Sequence, residues 1–372
     1  MIEKTVFFVV GRLGDSLVYQ KIIPFIKNNY FGRIFIFKEN QGFFIEGAEY
    51  ILLPFWLRKL KYKFIKRIIR LIYEPIQLLK YAIKYKPDYI NGIYTLPTGL
   101  NSVIVSTLIG SKSIVSVIGG TVEIDTYNRF KNIWCNINIL MLKKASIVTT
   151  TGFNVTDYIV SLGVKQKKIF EFTGAVDTNK FFFDKHIKKD IDILFVGTFR
   201  GLKGPDRVVE MIHQIIAKGT KINAHFLGDG YLFKEIAKKV MLLRLINYIT
   251  LEGYIKNPCM FFQRSKLVIM PSRSEGLSMA MLEAMSCGCV PIVSNVGNMT
   301  DAAKHDINSF VVDDYKNIGK FIEYIEILLK DGDKWKYMSQ NAITTVIDKY
   351  AVLKQTQIAE QIIEYGGRLS NG

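Results

Sequence analysis

Short apolar runs rich in β-branched and aromatic residues alternate with segments of helical period through the first half of the chain, and the alternation then begins again. In the first round the strand candidates are residues 5–10, 33–37, 50–53, 89–94, 113–118 and 146–150, with helical patterns such as 99–109 and 154–162 between them. In the second round they are 191–196, 223–227, 248–253, 267–271 and 290–294, and beyond Lys316 the pattern is helical to the end. Strands that alternate with helices bury both sheet faces and read as a parallel, doubly wound sheet. Two rounds predict two such domains, as does a length of 372 residues with 49% apolar content. The expected fold class is therefore α/β. A first Rossmann-like domain spans 1–180, a second spans 190–350, and a last helix at 351–372 can pack back on the first. The break falls near 177–189, where Asp177-Thr178-Asn179-Lys180 and His186-Ile187-Lys188-Lys189-Asp190 interrupt the apolar pattern. Ligands of open parallel sheets sit beyond the carboxyl ends of the strands, so two domains facing across a cleft would place the site there.

Charge separates the halves. Residues 1–180 hold 25 Lys and Arg against 12 Asp and Glu, most of the chain's net +17. An anionic partner is expected to dock on that half. A nucleic-acid partner is not expected, because neither a set of stacking aromatics nor a known reading motif accompanies the charge. Cys135, Cys259, Cys287 and Cys289 have no metal-ligand spacing, and a reduced, cytoplasmic chain is the simplest reading. Met1-Ile2-Glu3-Lys4 runs straight into an apolar strand without the basic start of a leader, and no window approaches 18 uninterrupted apolar residues.

The densest chemical signal runs from Met270 to Met285. An apolar strand ends at Pro271, Ser272-Arg273-Ser274-Glu275 turns, and a helix is predicted over 279–285. Backbone N–H groups of Gly276, Leu277 and Ser278 at that helix start suit an anion such as a diphosphate. Glu275 precedes the helix and Glu283 lies within it, so the two point to different parts of one elongated ligand. Upstream, Gly197-Thr198-Phe199-Arg200-Gly201-Leu202-Lys203-Gly204 follows a strand and leads into a helix beginning near Asp206. Two cations on a glycine loop, Arg200 and Lys203, suit two phosphates. Gly228-Asp229-Gly230 and Glu252-Gly253-Tyr254-Ile255 each close a strand with glycine, which lets backbone approach a base and a ribose. Taken singly, each of these has an ordinary alternative as a tight turn or a solvated carboxylate.

Their order carries a resemblance. Lys203-Gly204, Gly228-Asp229-Gly230, Glu252-Gly253-Tyr254-Ile255, Pro271-Ser272-Arg273-Ser274-Glu275-Gly276 and Glu283-Ala284-Met285 with Gly288 resemble glycosyltransferase family 4, the retaining group 1 enzymes of GT-B fold. Val290-Pro291-Ile292-Val293, Asn308-Ser309-Phe310 and Thr173-Gly174-Ala175-Val176-Asp177 extend it over about residues 140–350. The resemblance implies a hexosyltransferase that moves a sugar from a nucleotide-diphosphate donor, UDP ahead of GDP, to a glycan or lipid-linked acceptor in cell-envelope synthesis. It implies no metal and no cofactor. Glu275 would contact the transferred sugar, Glu283 the ribose, Lys203 the phosphates, and Gly276, Leu277 and Ser278 the diphosphate and sugar, with Gly197, Gly228, Gly230, Tyr254 and Ile255 around the donor. The family's arginine falls at Thr198, and Arg200 is its expected substitute.

A histidine-glycine pair common in the family's first domain is absent. Val117-Ile118-Gly119-Gly120-Thr121-Val122-Glu123 stands there, and all four histidines lie from His186 onward. Retention accommodates this, because an acceptor attacking on the leaving-group face can pass its proton to a phosphate oxygen. Gly11, Gly14 and Asp15 after the first strand, with Gly119, Gly120 and Glu123, are the expected acceptor or cleft residues. A nucleotide-sugar epimerase and an inactive sugar-nucleotide-binding homologue are the alternatives.

Residues 58–86 hold ten Lys and Arg against Glu74 alone. On a helical projection Leu60, Phe64, Ile65, Ile68, Leu71 and Ile72 share one arc, opposite most of Arg58, Lys59, Lys63, Lys66, Arg67 and Arg70. The expectation is a helix, ended or kinked at Pro75, whose apolar arc packs on the sheet. Its basic face would be solvated and can touch an anionic membrane surface, making the chain peripheral to it.

Overall fold

The computed structural model describes residues 4–27, 31–40, 42, 45–125 and 131–369. Met1, Ile2 and Glu3, from which the start of the chain was read, lie outside them. The described residues form two compact units, one up to Ala175 together with the stretch from Val352 on, the other Val176–Ala351.

Among the described residues the first unit has seven strands: β1 Lys4–Gly11, β2 Phe31–Lys38, β3 Ala48–Leu52, β4 Tyr89–Ile93, β5 Lys112–Val117, β6 Ile147–Thr150 and β7 Ile169–Glu171. Their order is β3-β2-β1-β4-β5-β6-β7, every neighbouring pair parallel. Successive side chains of a strand alternate between faces. Phe7, Val9, Phe35 and Phe37 accordingly meet Leu78 and Ala82 on one side. Val6, Phe8, Val10, Ile34 and Ile36 meet Val18 and Ile22 on the other. The helix Val352–Arg368 closes that second face, with Ala359, Ile362 and Ile363 buried in the same cluster. The Tyr89 hydroxyl donates to the Ile363 carbonyl at 2.9 Å, and Gly366 lies against the same ring.

The second unit repeats the plan with β8 Ile191–Val196, β9 Ala224–Leu227, β10 Ile249–Gly253, β11 Ser265–Met270, β12 Val290–Ser294 and β13 Phe310–Val312. The order is β10-β9-β8-β11-β12-β13, again parallel. Near-continuous runs such as Leu267-Val268-Ile269-Met270 are buried on both faces, as parallel strands between helices require.

The structure departs from the sequence reading in particular places. β7 and β13 were not foreseen; each is three residues long and completes a sheet edge. Residues 177–189, where the break was expected, belong to the second unit. Phe181 packs tilted against Phe262 with ring centroids 6.0 Å apart, and the Phe181 and Phe182 carbonyls accept from Ser286 and Gln263. The chain leaves the first unit instead at Ala175, beside Val176, whose N–H donates to the Tyr350 carbonyl at 2.8 Å. The helix Lys63–Tyr85 runs through Pro75 without ending.

The basic helix is turned the opposite way from the expectation. Phe64, Ile65, Ile68, Leu71 and Ile72 face outward, Phe64 75% and Ile72 61% exposed. The side chains of Lys66 and Arg70 are turned in, 14% and 11% exposed. The cause is Glu39, which follows β2 and is itself buried. Burial acts to raise its carboxyl, but hydrogen bonds from Lys66 and Arg12 and the charge of Arg70 outweigh this and hold it below the usual carboxylate range. A buried carboxylate must be paired, and that demand outranks apolar packing of this helix half. The side chain of Lys63 lies outside what is described. Among the described residues no helix is long and apolar enough to cross a membrane.

Two predictions concern this frame. A Cβ at Gly366 would lie 2.6 Å from the Tyr89 ring. Gly366→Ala is therefore expected to lose about 1–3 kcal/mol in urea unfolding, since a ring packed under a strand end cannot shift freely. Lys21 is fully buried and donates to the Thr173 carbonyl at 2.5 Å. Burial, opposed by the Glu123 charge, brings its ammonium down to about 7. The unfolded chain keeps that proton up to about pH 10, so folding releases it in between and this group's contribution to stability rises with pH across that window. Lys21→Met removes the slope, and its stability relative to wild type should fall between pH 7 and about pH 10 in paired urea titrations.

Candidate functional site

In the second unit β8 lies between β9 and β11, so chain order reverses between β8 and β11. In a parallel sheet that reversal sends the two following loops apart and opens a crevice at the carboxyl edge. The loops in question are 197–204 after β8 and 271–278 after β11.

Those loops meet through a single ion pair. Lys203 Nζ lies 2.5 Å from Glu275 Oε1, and the Ser272 hydroxyl donates to the same oxygen at 2.9 Å. The Glu275 side chain is 9% exposed and that of Lys203 30%. Backbone contacts reinforce the pair. Arg273 N–H donates to the Leu202 carbonyl at 2.8 Å. The Arg207 guanidinium, from the helix Pro205–Ala217, donates to the Pro271 carbonyl at 2.8 and 3.0 Å and to that of Gly201 at 3.1 Å. A cation and a carboxylate are thus held ready over the crevice, and both can turn to a ligand carrying phosphate and hydroxyl groups.

The neighbouring turns are packed as one row. Gly197 N–H donates to the Leu227 carbonyl at 3.0 Å, and Gly228 N–H to that of Gly253 at 2.7 Å. At Gly228 φ is +137°, and a Cβ there would sit 1.8 Å from the Gly197 carbonyl oxygen, so the two turns nest only with glycine at 228. Phe199 anchors the cationic loop below, fully buried, with its N–H on the Asp229 carbonyl at 3.0 Å. Gly230 lies directly against the Phe199 backbone. Thr198 and Arg200 project from the same loop into solvent.

On the other side of the crevice, Ser278 caps the helix Met279–Ser286, its hydroxyl accepting from Met281 N–H at 3.4 Å. Gly276 and Ser278 are half-buried, Leu277 is buried, and Glu283 is buried within the helix. Beyond β10, Tyr254 is exposed and Ile255 packs against the core. The fold thus brings Lys203, Glu275, Gly276, Leu277, Ser278, Gly197, Gly228 and Gly230 to one edge, with Arg200 on its rim and Tyr254 and Ile255 on the outermost strand's turn.

In the first unit Gly11 ends β1 with φ +58°, and Gly14 precedes the helix Asp15–Ile26, whose Asp15 is ion-paired with Lys38. Glu123 acts within its own unit as a clip. Its carboxylate accepts from the N–H groups of Thr95 at 2.6 Å, Ile118 at 2.9 Å and Gly119 at 2.5 Å, which joins the loops after β4 and β5. Burial pushes this carboxyl above its ordinary value against the pull of those three donors. Gly119 and Gly120 sit on the loop it holds.

Residues 177–345 match the family model described as glycosyl transferases group 1. N-acetyl-alpha-D-glucosaminyl L-malate synthase of Bacillus anthracis is 22% identical over 275 residues, 71% of each chain. Poly(glycerol-phosphate) alpha-glucosyltransferase of Bacillus subtilis is 28% identical over 190 residues, 46% of this chain and 27% of that one. Among solved structures, Anabaena Alr3699/HepE in complex with UDP-glucose has a TM-score of 0.76 at 16% identity, covering 99% of this chain and 100% of its own. Sucrose-phosphate synthase from Thermosynechococcus elongatus gives 0.79 at 15%, with the same coverage. The two parallel α/β sheets are those of GT-B proteins.

Three residues that matter to the site escaped the sequence reading. Arg207 stands one turn beyond Lys203-Gly204 and looks like any helix-surface arginine. Gly297 and Asn298 follow β12 and clamp the Glu275 loop from behind. A Cβ on Gly297, at φ +58°, would lie 2.0 Å from the Glu275 carbonyl oxygen, and Asn298 N–H donates to the Gly276 carbonyl at 3.2 Å. An Asp-x-Asp triplet, Asp190-Ile191-Asp192, sits at the opposite end of β8, tied to Arg264 and Lys266. Gly297→Ala is expected to cost about 1–3 kcal/mol in urea unfolding, because it strains the backbone and displaces the Glu275 loop. Gly14→Ala, where a Cβ meets nothing within 4 Å, should stay within about 0.5 kcal/mol.

Proposed function

We propose that this chain, whose residues 177–345 match the family model described as glycosyl transferases group 1, is a glycosyltransferase that moves a hexose from a UDP-sugar with retention, as a family 4 enzyme. The observation that carries the proposal is the Lys203–Glu275 contact at the β8/β11 switch point. When a donor enters, Lys203 leaves Glu275 for the diphosphate, and Glu275 takes hydroxyls of the sugar. Arg200 closes over the phosphates from the loop. Gly276, Leu277 and Ser278 offer backbone N–H groups to the diphosphate at the helix start. Glu283 holds the ribose. Gly197, Gly228 and Gly230 give the donor close approach, and Tyr254 and Ile255 border the base.

The acceptor attacks the anomeric carbon on the face from which UDP departs, and a phosphate oxygen receives its proton. Alignment and stabilisation of the departing diphosphate then supply the catalysis, with no protein base and no metal. The absence of a histidine before His186 agrees with that scheme. UDP as the nucleotide is supported by the Anabaena structure, which is a complex with UDP-glucose. The alpha-linked products named for the two Bacillus relatives support retention, and the poly(glycerol-phosphate) enzyme supports a cell-envelope acceptor. The first unit takes that acceptor, a glycan or a lipid-linked sugar, with Gly11, Gly14, Asp15, Gly119 and Gly120 near it and Glu123 as a positioning residue. The four cysteines are free, three of them buried, which is compatible with the proposed cytoplasmic location beside the membrane.

Slow donor hydrolysis tests this without knowledge of the acceptor. UDP-glucose and UDP-N-acetylglucosamine are incubated with the protein and a chelator while released sugar is followed by proton NMR. The α-anomer should appear first from one of them, and Glu275→Ala should slow release by about a hundredfold or more. A β-anomer appearing first would reject retention. No release and no binding of either donor would reject the donor assignment.

A further inference from the structure

We propose that the acceptor is a sugar carried on a lipid phosphate, whose hydrocarbon chain lies in a cavity of the first unit between the helices Lys63–Tyr85, Leu100–Ile109 and Lys131–Lys144. This rests on the glycosyltransferase reading and names the acceptor class within it. The cavity holds about 860 Å³. Val10, Gly11 and Ile93 line its floor, so it opens at the carboxyl ends of β1 and β4, between which the first sheet has its own reversal of chain order. Its walls are hydrocarbon and aromatic: Leu71, Leu96, Pro97, Leu100, Ile104 and Trp134. Tyr94, Thr98 and Asn101 add hydrogen-bonding groups to the lining, but most of its surface is hydrocarbon, where a free glycan would ask for the reverse.

Two further observations fix the occupant as anionic and amphiphilic. Arg12, Arg67 and Arg70 line the cavity with Glu74. Arg12 and Arg70 are already paired with Glu39, and Arg70 with Glu74, so among the described residues Arg67 is the lining cation left for a phosphate, and the surroundings keep a net positive charge. The walls also continue outward. Leu71 and Ile104 are exposed as well as lining, and Leu71 leads onto the outward arc of Phe64, Ile68, Ile72 and Ile76. A contiguous apolar surface of this kind marks a binding face. A hydrocarbon chain in the hollow with its phosphate on Arg67 satisfies both features, and the outward arc then rests in the lipid from which the chain is drawn. A second copy of the chain fits less well, since a two-fold contact through this face would set the arginines of one copy against those of the other.

Calorimetry with monomeric dodecyl phosphate tests the proposal, with inorganic phosphate and phosphatidylcholine vesicles as separate arms and UDP titrated independently. Dodecyl phosphate should bind saturably at one site, with inorganic phosphate at least about tenfold weaker. Ile104→Asp and Leu71→Gln, on two different helices, should each weaken it by about tenfold, the worth of one side chain's apolar contact. UDP binding should be the same in all three proteins. The proposal is overturned if the two phosphates bind alike, if both variants bind dodecyl phosphate like wild type, or if only vesicles bind. It is also overturned if wild type is a dimer that the variants dissociate while dodecyl phosphate goes unbound. Failure of UDP to bind would count against the donor site in the second unit and leave the dodecyl phosphate result standing on its own.

Discussion

The contact between Lys203 and Glu275 is the constraint around which the second unit is arranged. It joins a loop after β8 to a loop after β11 at the point where the sheet's chain order reverses. Every nearby peculiarity serves to let those loops meet. Arg207 and Arg273 tie them through backbone, Gly228 removes the side chain that would separate two turns, and Gly297 lets the β12 loop brace Glu275 from behind. An unliganded ion pair of this sort keeps a buried carboxylate neutralised until phosphate competes for the lysine. The same geometry supports the fold and, on the proposed function, would be the start of donor binding.

The first unit obeys a related logic with a different result. Glu39 is buried after β2 and recruits Arg12, Lys66 and Arg70, so the helix above it turns its cations inward and its apolar arc outward. One buried carboxylate thereby decides which surface the unit presents. Glu123 does equivalent work at the ends of β4 and β5, where three backbone donors fix it as a clip for the loop carrying Gly119 and Gly120.

Much of this was legible in the sequence. Strands buried on both faces are long apolar runs, and eleven of them could be placed from periodicity with ends within two residues or so. The residues gathered at the carboxyl edge of the second sheet could be picked out because glycines and charges recur just after strands. β7 and β13 were not, because three residues carry no period. A projection of residues 58–86 reveals that a helix has two faces but not which one the protein buries. That was decided by Glu39, some thirty residues away in sequence from Arg70 and adjacent to it in space. Arg207 and Gly297 were illegible for the same reason, since each acts on a carbonyl brought near only by the fold. Pro75, read as ending or kinking the helix, does not end Lys63–Tyr85.

The most direct test is a metal-free calorimetric titration of UDP into wild type and into Lys203→Met, with folding of both verified by circular dichroism. If the Lys203–Glu275 crevice receives the diphosphate, wild type binds one UDP per chain and the variant binds at least about tenfold more weakly, the loss expected for a charge-assisted contact. Equal affinity in the two proteins would contradict the account and place the diphosphate somewhere other than the β8/β11 switch point.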